Sequence, residues 1–245
     1  MKRNPGKRIG IFGGTFDPPH LGHLILAEEI REDFRLQEVY FMPCHEPPHK
    51  SRIDLTEAKH RFAMVVAATL HNPDFIASPI EVSRPGKSYS IDTLRALRQE
   101  LGPETEMLFV SGLDSFLEIE TWKDFEDLLN LCHTIVVSRP GHGFDEIPKR
   151  LPGWIVDRLV DLRSGNENPC SYLNSRSKTE VEDSKSQRLR IFLSDAVHVD
   201  ISSTGIRERI REGRSIRYSV PVEVQRYIEA NGLYRKVPVV NEAAS

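Results

Sequence analysis

The chain has 245 residues, enough for one sizeable domain or one domain with an appendage. Its 33 Lys and Arg stand against 36 Asp and Glu, and the formal net charge of −3 argues against a general nucleic-acid coat. Hydrophobic content of 39% and charged content of 28% describe an ordinary globular protein, and no window approaches the ~20 apolar residues of a membrane span.

Three cysteines, Cys44, Cys132 and Cys170, form neither a Cys-x-x-Cys pair nor an even disulfide framework, which fits a reducing cytoplasm. The basic start resembles a signal n-region, but the apolar run after it, 9–12, is too short for a signal h-region. The expectation is therefore a cytoplasmic protein with neither a nucleic-acid partner nor a membrane.

In chain order, a buried strand is expected at 9–12 and a helix at 21–34, joined by the glycine-rich stretch Gly13-Gly14-Thr15-Phe16-Asp17-Pro18-Pro19-His20-Leu21-Gly22-His23. A strand at 39–42 ends at Pro43, and a double-proline loop follows. A helix over 56–71 has Thr56 as candidate N-cap, with 62, 65, 66, 69 and 70 as its apolar side. Short strand pieces are read at 75–76 and 80–82. Ser90 is a candidate cap for a helix over 91–101, which Gly102-Pro103 stops. A strand at 107–110, an acid-rich helix at 124–131 and a strand at 134–137 come next.

The alternation predicts an α/β fold: a Rossmann-like, doubly wound parallel sheet with a small C-terminal helical part. Such sheets place ligands at the carboxyl ends of the strands. The expected organisation is an α/β core over 7–141, a polar, partly flexible insertion over 142–190, and strand and helices over 191–236 that complete the same domain. Strands are read at 191–193 and 197–199, a helix at 203–212, and a last helix from about 219 to 231 with Pro221 in its first turn.

Several side chains have chemistry to offer. His20 and His23 sit at a helix start after a glycine turn, where imidazoles can donate to phosphate oxygens, or can simply be cap or surface histidines. Gly22 permits close approach to the backbone. Ser202, Ser203 and Thr204 open another helix, with Arg207 a turn later; they suit a phosphate, or an ordinary cap beside a solvated basic face. Asp114 is either a ribose acceptor or an N-cap, and Trp122 either stacks a ring or fills the core. Lys50 follows a stiff double-proline turn and can hold a phosphate. Arg139 lies in a Ser-Arg-Pro-Gly turn and either contacts a ligand or covers the surface. His45 and His49 are not read as a metal pair, because two prolines separate them and no Cys or Asp completes a site.

Together these motifs resemble the nucleotidyltransferase superfamily with the (H/T)xGH signature, and Gly13–His23 is similar to its branch of bacterial nicotinate-nucleotide adenylyltransferases. Ser202-Ser203-Thr204-Gly205-Ile206-Arg207 looks like that family's triphosphate motif. Gly112 and Asp114 with Thr121-Trp122, and Ser88-Tyr89-Ser90 where the family usually has Thr last, continue the likeness. The resemblance implies adenylyl transfer from ATP to nicotinate mononucleotide, giving deamido-NAD and pyrophosphate, with Mg²⁺ carried by the ATP. It implies that Gly13, Gly14, Thr15, Phe16, Gly22, Gly112, Asp114, Ser202, Ser203 and Arg207 bind ATP, and that His20, His23, Lys50 and Arg207 are the catalytic residues. Ser90, Trp122, Arg139 and Lys50 would then face the nicotinate nucleotide. A nicotinamide-preferring adenylyltransferase and a catalytically silent nucleotide-binding module are the alternatives.

Overall fold

In a computed structural model of the chain, residues 6–47, 55–138, 143–163, 168–174, 189–195 and 199–235 are described. Among the described residues seven strands form one sheet: β1 (Arg8–Gly14), β2 (Glu38–Pro43), β3 (Phe75–Ala77), β4 (Glu106–Gly112), β5 (His133–Val137), β6 (Leu159–Asp161) and β7 (Ile191–Ser194). Their order is β3-β2-β1-β4-β5-β7-β6, and every pairing among the described strands is parallel. Strand order reverses between β1 and β4, so the crevice of a doubly wound sheet opens at their carboxyl ends.

The helices are α1 (Leu21–Asp33), α2 (Ala58–Thr69), α3 (Ser90–Leu101), α4 (Leu113–Phe116), α5 (Phe125–Leu129), α6 (Ile147–Arg150), α7 (Gly153–Val156), α8 (Pro169–Asn174), α9 (Ser203–Arg211) and α10 (Val222–Ala230). They cover both faces because the strands are apolar on both. Ile9, Ile11, Met107 and Phe109 pack with Ile91, Leu94 and Leu97 of α3. The alternate residues Leu108, Val110, Val39 and Phe41 pack with Ala27 and Ile30 of α1. Full burial of one such side chain contributes roughly 1.5–3 kcal/mol. A third cluster joins Met64 of α2 to Ile206 of α9 and to Val220, Val224 and Ile228 around α10, and this is the small C-terminal helical part.

The structure departs from expectation in several places. Residues 80–82 form a turn, with Ser83 N–H donating to the Pro79 carbonyl and Arg84 N–H to that of Glu81. The turn carries Glu81 inward, so its apolar neighbours do not mark a strand. Thr56 and Ser90 are not caps: Glu57 and Tyr89 occupy those positions, and Ser90 is the first residue of α3. On α2 the buried set is Arg61, Met64, Val65 and Thr69, while Val66 and Leu70 are exposed, because the helix turns a polar anchor toward the sheet. Within 142–190, the stretch expected to be a polar insertion, β6 joins the sheet edge and Phe144, Ile147, Leu151 and Ile155 enter the core. Of the strand expected at 197–199, residues 197 and 198 lie outside the described residues. No helix among the described residues is long and apolar enough to cross a membrane.

Candidate active site

A cavity of about 220 Å³ opens where β1, β2 and β4 end. Gly13, Gly14 and Thr15 at the end of β1 line it, with Met42 of β2, Cys44 just after β2, and Ser111 and Gly112 of β4. Ser90 and Trp122 line it too, so the sequence brings these predicted residues together. Trp122 stands edge-on to Phe109 at 6.0 Å and lines the cavity. Asp114 does not line the cavity. It lies in the first turn of α4, whose cap is Gly112, and a side chain at 112 would approach the Asp114 carboxylate to 2.7 Å.

His20 and His23 gather at the other end of the same loop, at the start of α1. Their rings stack at 3.6 Å with 24° between planes. The backbone N–H of His20 donates to Nδ1 of His23 at 3.2 Å. That nitrogen is therefore an acceptor, and the ring proton of His23 sits on Nε2. Phe16 closes the other side of the His23 ring at 5.1 Å and Phe12 adds an edge at 5.9 Å. Phe16 adopts a positive φ of 51°, a conformation uncommon outside glycine, and is held there by near-complete burial. A Cβ at Gly22 would meet the His20 ring at 3.1 Å, so a side chain there would press the ring out of its place in the stack by a few tenths of an ångström.

Ser203 and Arg207 grip this loop. Ser202 caps α9, its Oγ accepting from Gly205 N–H at 3.1 Å. The Ser203 hydroxyl donates to the Pro18 carbonyl at 2.9 Å. Arg207 is buried and its Nη1 donates to the Asp17 carbonyl at 2.7 Å, while Nη2 reaches Thr204 Oγ1 at 3.3 Å. Its Nε has no hydrogen-bond partner among the described residues. The Asp17 carboxylate accepts from Tyr234 at 2.7 Å, and burial together with that charge raises the Tyr234 hydroxyl far above its ordinary value. Lys50 and Arg139, both read as site candidates, lie outside the described residues.

Some groups in the site escaped the sequence reading. Glu81 lines the cavity and accepts from Thr93 Oγ1 at 2.7 Å. Burial pushes its carboxyl up, partly offset by hydrogen bonds from Thr93 and Ser88. Burial likewise raises the thiol of Cys44. Lys123 lines the cavity beside Trp122, held by Asp92 at 2.9 Å and 5.0 Å over the Tyr89 ring. Arg61 of α2 is fully buried and, among the described residues, donates only to backbone carbonyls and to the Cys44 thiol. The available signal was a charged residue in register with an apolar helix stripe: 61, 64, 65 and 69 share one face.

Residues 11–209 match the cytidylyltransferase-like family. A protein of Moorella thermoacetica described as a probable nicotinate-nucleotide adenylyltransferase is 41% identical over 94% of this chain and 93% of its own length. One of the same description from Thermoanaerobacter is 38% identical over 94% and 95%. The solved nicotinic acid mononucleotide adenylyltransferase of Plasmodium falciparum, complexed with NaAD, is 20% identical and superposes with a TM-score of 0.66 over 93% of this chain and 97% of that one, a likeness of fold. The chain belongs to the cytidylyltransferase-like family, in the branch formed by the nicotinate-nucleotide adenylyltransferases.

Proposed function

We propose that this chain transfers the adenylyl group of ATP to nicotinate mononucleotide, giving deamido-NAD and pyrophosphate in NAD biosynthesis. One observation carries the reading. The loop 13–23 borders the cavity with its first residues and presents stacked imidazoles at a helix start with its last, so an acceptor hollow and an anion-suited surface adjoin. The names of the relatives agree with it.

In this reading an acceptor phosphate oxygen attacks the α-phosphorus of ATP in line. A new P–O bond forms, the bond to the β-phosphate's bridging oxygen breaks, and pyrophosphate leaves with that electron pair. The nucleophile is already anionic, so no side chain must take a proton. The protein contributes positioning and charge stabilisation. His23 donates from Nε2 to α-phosphate oxygens, with His20 beside it. Backbone N–H groups at the start of α9, with Ser202, Ser203 and the Arg207 guanidinium, take the β/γ end. The Ser203 hydroxyl already serves Pro18, so its backbone N–H is the group assigned to phosphate.

Gly112 and Asp114 are assigned to the adenosine side. Trp122 lies against the pyridine ring, and Ser90 donates to its carboxylate. Lys50 and Arg139 are assigned to the acceptor from sequence alone. Lys123 is the one cation among the described residues lining the cavity, which favours a carboxylate over an amide. ATP enters as its Mg²⁺ complex. No group of three His, Cys, Asp or Glu among the described residues could hold that ion, so it is assigned to the phosphate oxygens.

The test is pyrophosphate release from ATP with nicotinate mononucleotide. The wild type is expected to release it, and His23→Ala to do so roughly 10²- to 10³-fold more slowly, as for loss of one preorganised donor. A wild type that releases none overturns the reading.

A further inference from the structure

A hydrogen-bond ladder joins β1 to β2 until it runs out at the cavity. Gly14 pairs with Pro43 as the last register, and Cys44 N–H still donates to the Gly14 carbonyl at 3.0 Å. Beyond that point the ladder parts, and Gly14, Thr15 and Cys44 all line the cavity there. Carbonyls at such a parting lose their strand partners and need other donors.

Arg61 supplies them. Its Nη1 donates to the Thr15 carbonyl at 2.9 Å and to the Cys44 carbonyl at 2.7 Å. Nη2 donates to the His45 carbonyl at 2.7 Å, and Nε to that of Thr56 at 2.8 Å. No carboxylate pairs with it among the described residues. A fully buried guanidinium without an anion is an expensive residue to place in a core, and its planar fork, with an acceptor at each of the three nitrogens, makes it tolerable. A helix face that needed only packing would carry Leu or Met there. The bonds continue outward: His45 N–H donates to Ser88 Oγ at 2.8 Å, and Ser88 N–H to the Glu46 carbonyl at 2.9 Å, which leads to Ser90 at the start of α3.

We propose that Arg61 is a positioning residue for the transfer step: bonded at once to Thr15 on the donor-side turn and to Cys44 and His45 on the acceptor-side wall, it sets the separation of the two substrates. It touches neither substrate and acts through those carbonyls. The inference rests on the adenylyl-transfer reading. Its signature is selective, because each substrate binds its own half of the site, while the in-line geometry depends on both halves together.

Arg61→Gln and Arg61→Lys are compared with wild type by three measurements: Kd of ATP alone, Kd of nicotinate mononucleotide alone, and kcat for pyrophosphate release. The Gln variant is expected to lose on the order of 10²-fold in kcat while both Kd values stay within about threefold. The Lys variant keeps the charge but not the fork, and is expected to recover less than a tenth of wild-type kcat, which separates geometry from charge. Parallel weakening of both Kd values with kcat, wild-type kcat in either variant, or failure of both variants to fold overturns the proposal. If Gln alone fails to fold, Lys decides it by the same readouts. A wild type inactive with these substrates overturns the functional reading instead.

Discussion

Arg207 and Asp17 stand 190 positions apart in sequence, and a 2.7 Å hydrogen bond joins them, the arginine Nη1 donating to the aspartate's backbone carbonyl. The bond couples the start of α9 to the loop that carries His20 and His23. The same loop is held by Ser203 at Pro18 and by Tyr234 at the Asp17 carboxylate. The last part of the fold therefore holds the first loop through three side chains, Ser203, Arg207 and Tyr234.

Arg207→Ala removes this lock and a charge assigned to phosphate. It leaves the Asp17 carbonyl buried without its donor, which costs about 1–3 kcal/mol. The expected result is a folded protein with a lower urea midpoint and a kcat/KM reduced by about 10²-fold or more. Steady-state pyrophosphate release and equilibrium unfolding check the two effects separately. Wild-type kcat/KM in the variant contradicts the role given to Arg207.

Lys123 offers a test of acceptor choice. Its ammonium lines the cavity but is held by Asp92 and is partly exposed, so its field is screened and partly cancelled. A pair of this kind is worth about 0.2–1 kcal/mol, which converts to no more than about fivefold in rate. Lys123→Met is therefore expected to lower the ratio of kcat/KM for nicotinate over nicotinamide mononucleotide by about two- to fivefold. The effect should fall on the nicotinate substrate, since the amide carries no charge for Lys123 to attract. An unchanged ratio removes Lys123 from acceptor selection.

Much of this arrangement was legible in the chain. The strand at 9–12, the glycine turn and the helix from 21 stand in the pattern that puts an anion site at a strand end, and the structure delivers Gly13, Gly14, Thr15, Ser90, Gly112 and Trp122 to one cavity. Periodicity reads contacts along one element well. It does not read bonds made by a side chain to distant backbone, and those are the bonds that organise this site. Arg61 reaches Thr15 across 46 positions and Arg207 reaches Asp17 across 190. Strand β6 was missed because three residues, Leu159–Asp161, alternate too briefly to give a signal amid polar neighbours. Ser90 looked like a cap because Ser suits that position, yet the neighbouring Tyr89 is the cap and frees Ser90 for the cavity.

Acid sensitivity is expected from the opposite end of the sheet. At the amino ends of β1, β4 and β5, Arg8 Nε pairs with Glu106 at 2.7 Å and His133 stands 3.5 Å from its other oxygen. Burial pushes the Glu106 carboxyl up, but hydrogen bonds from His133 and Arg8 outweigh it and hold the group below its ordinary value of 4.5. A carboxyl lowered in the folded state adds stability above its unfolded value and loses it as the pH falls through the folded one. The wild type should therefore keep its urea midpoint down to the region of 4.5 and lose it progressively in stronger acid. Glu106→Gln removes the carboxylate that faces Arg8 and His133, and breaking such a buried pair costs about 3–5 kcal/mol at neutral pH. That deficit should shrink as acid protonates Glu106 in the wild type, because the two proteins then present the same neutral group to Arg8. Urea titrations at a series of pH values measure the convergence, and two curves that stay parallel into acid would exclude Glu106 as the group responsible.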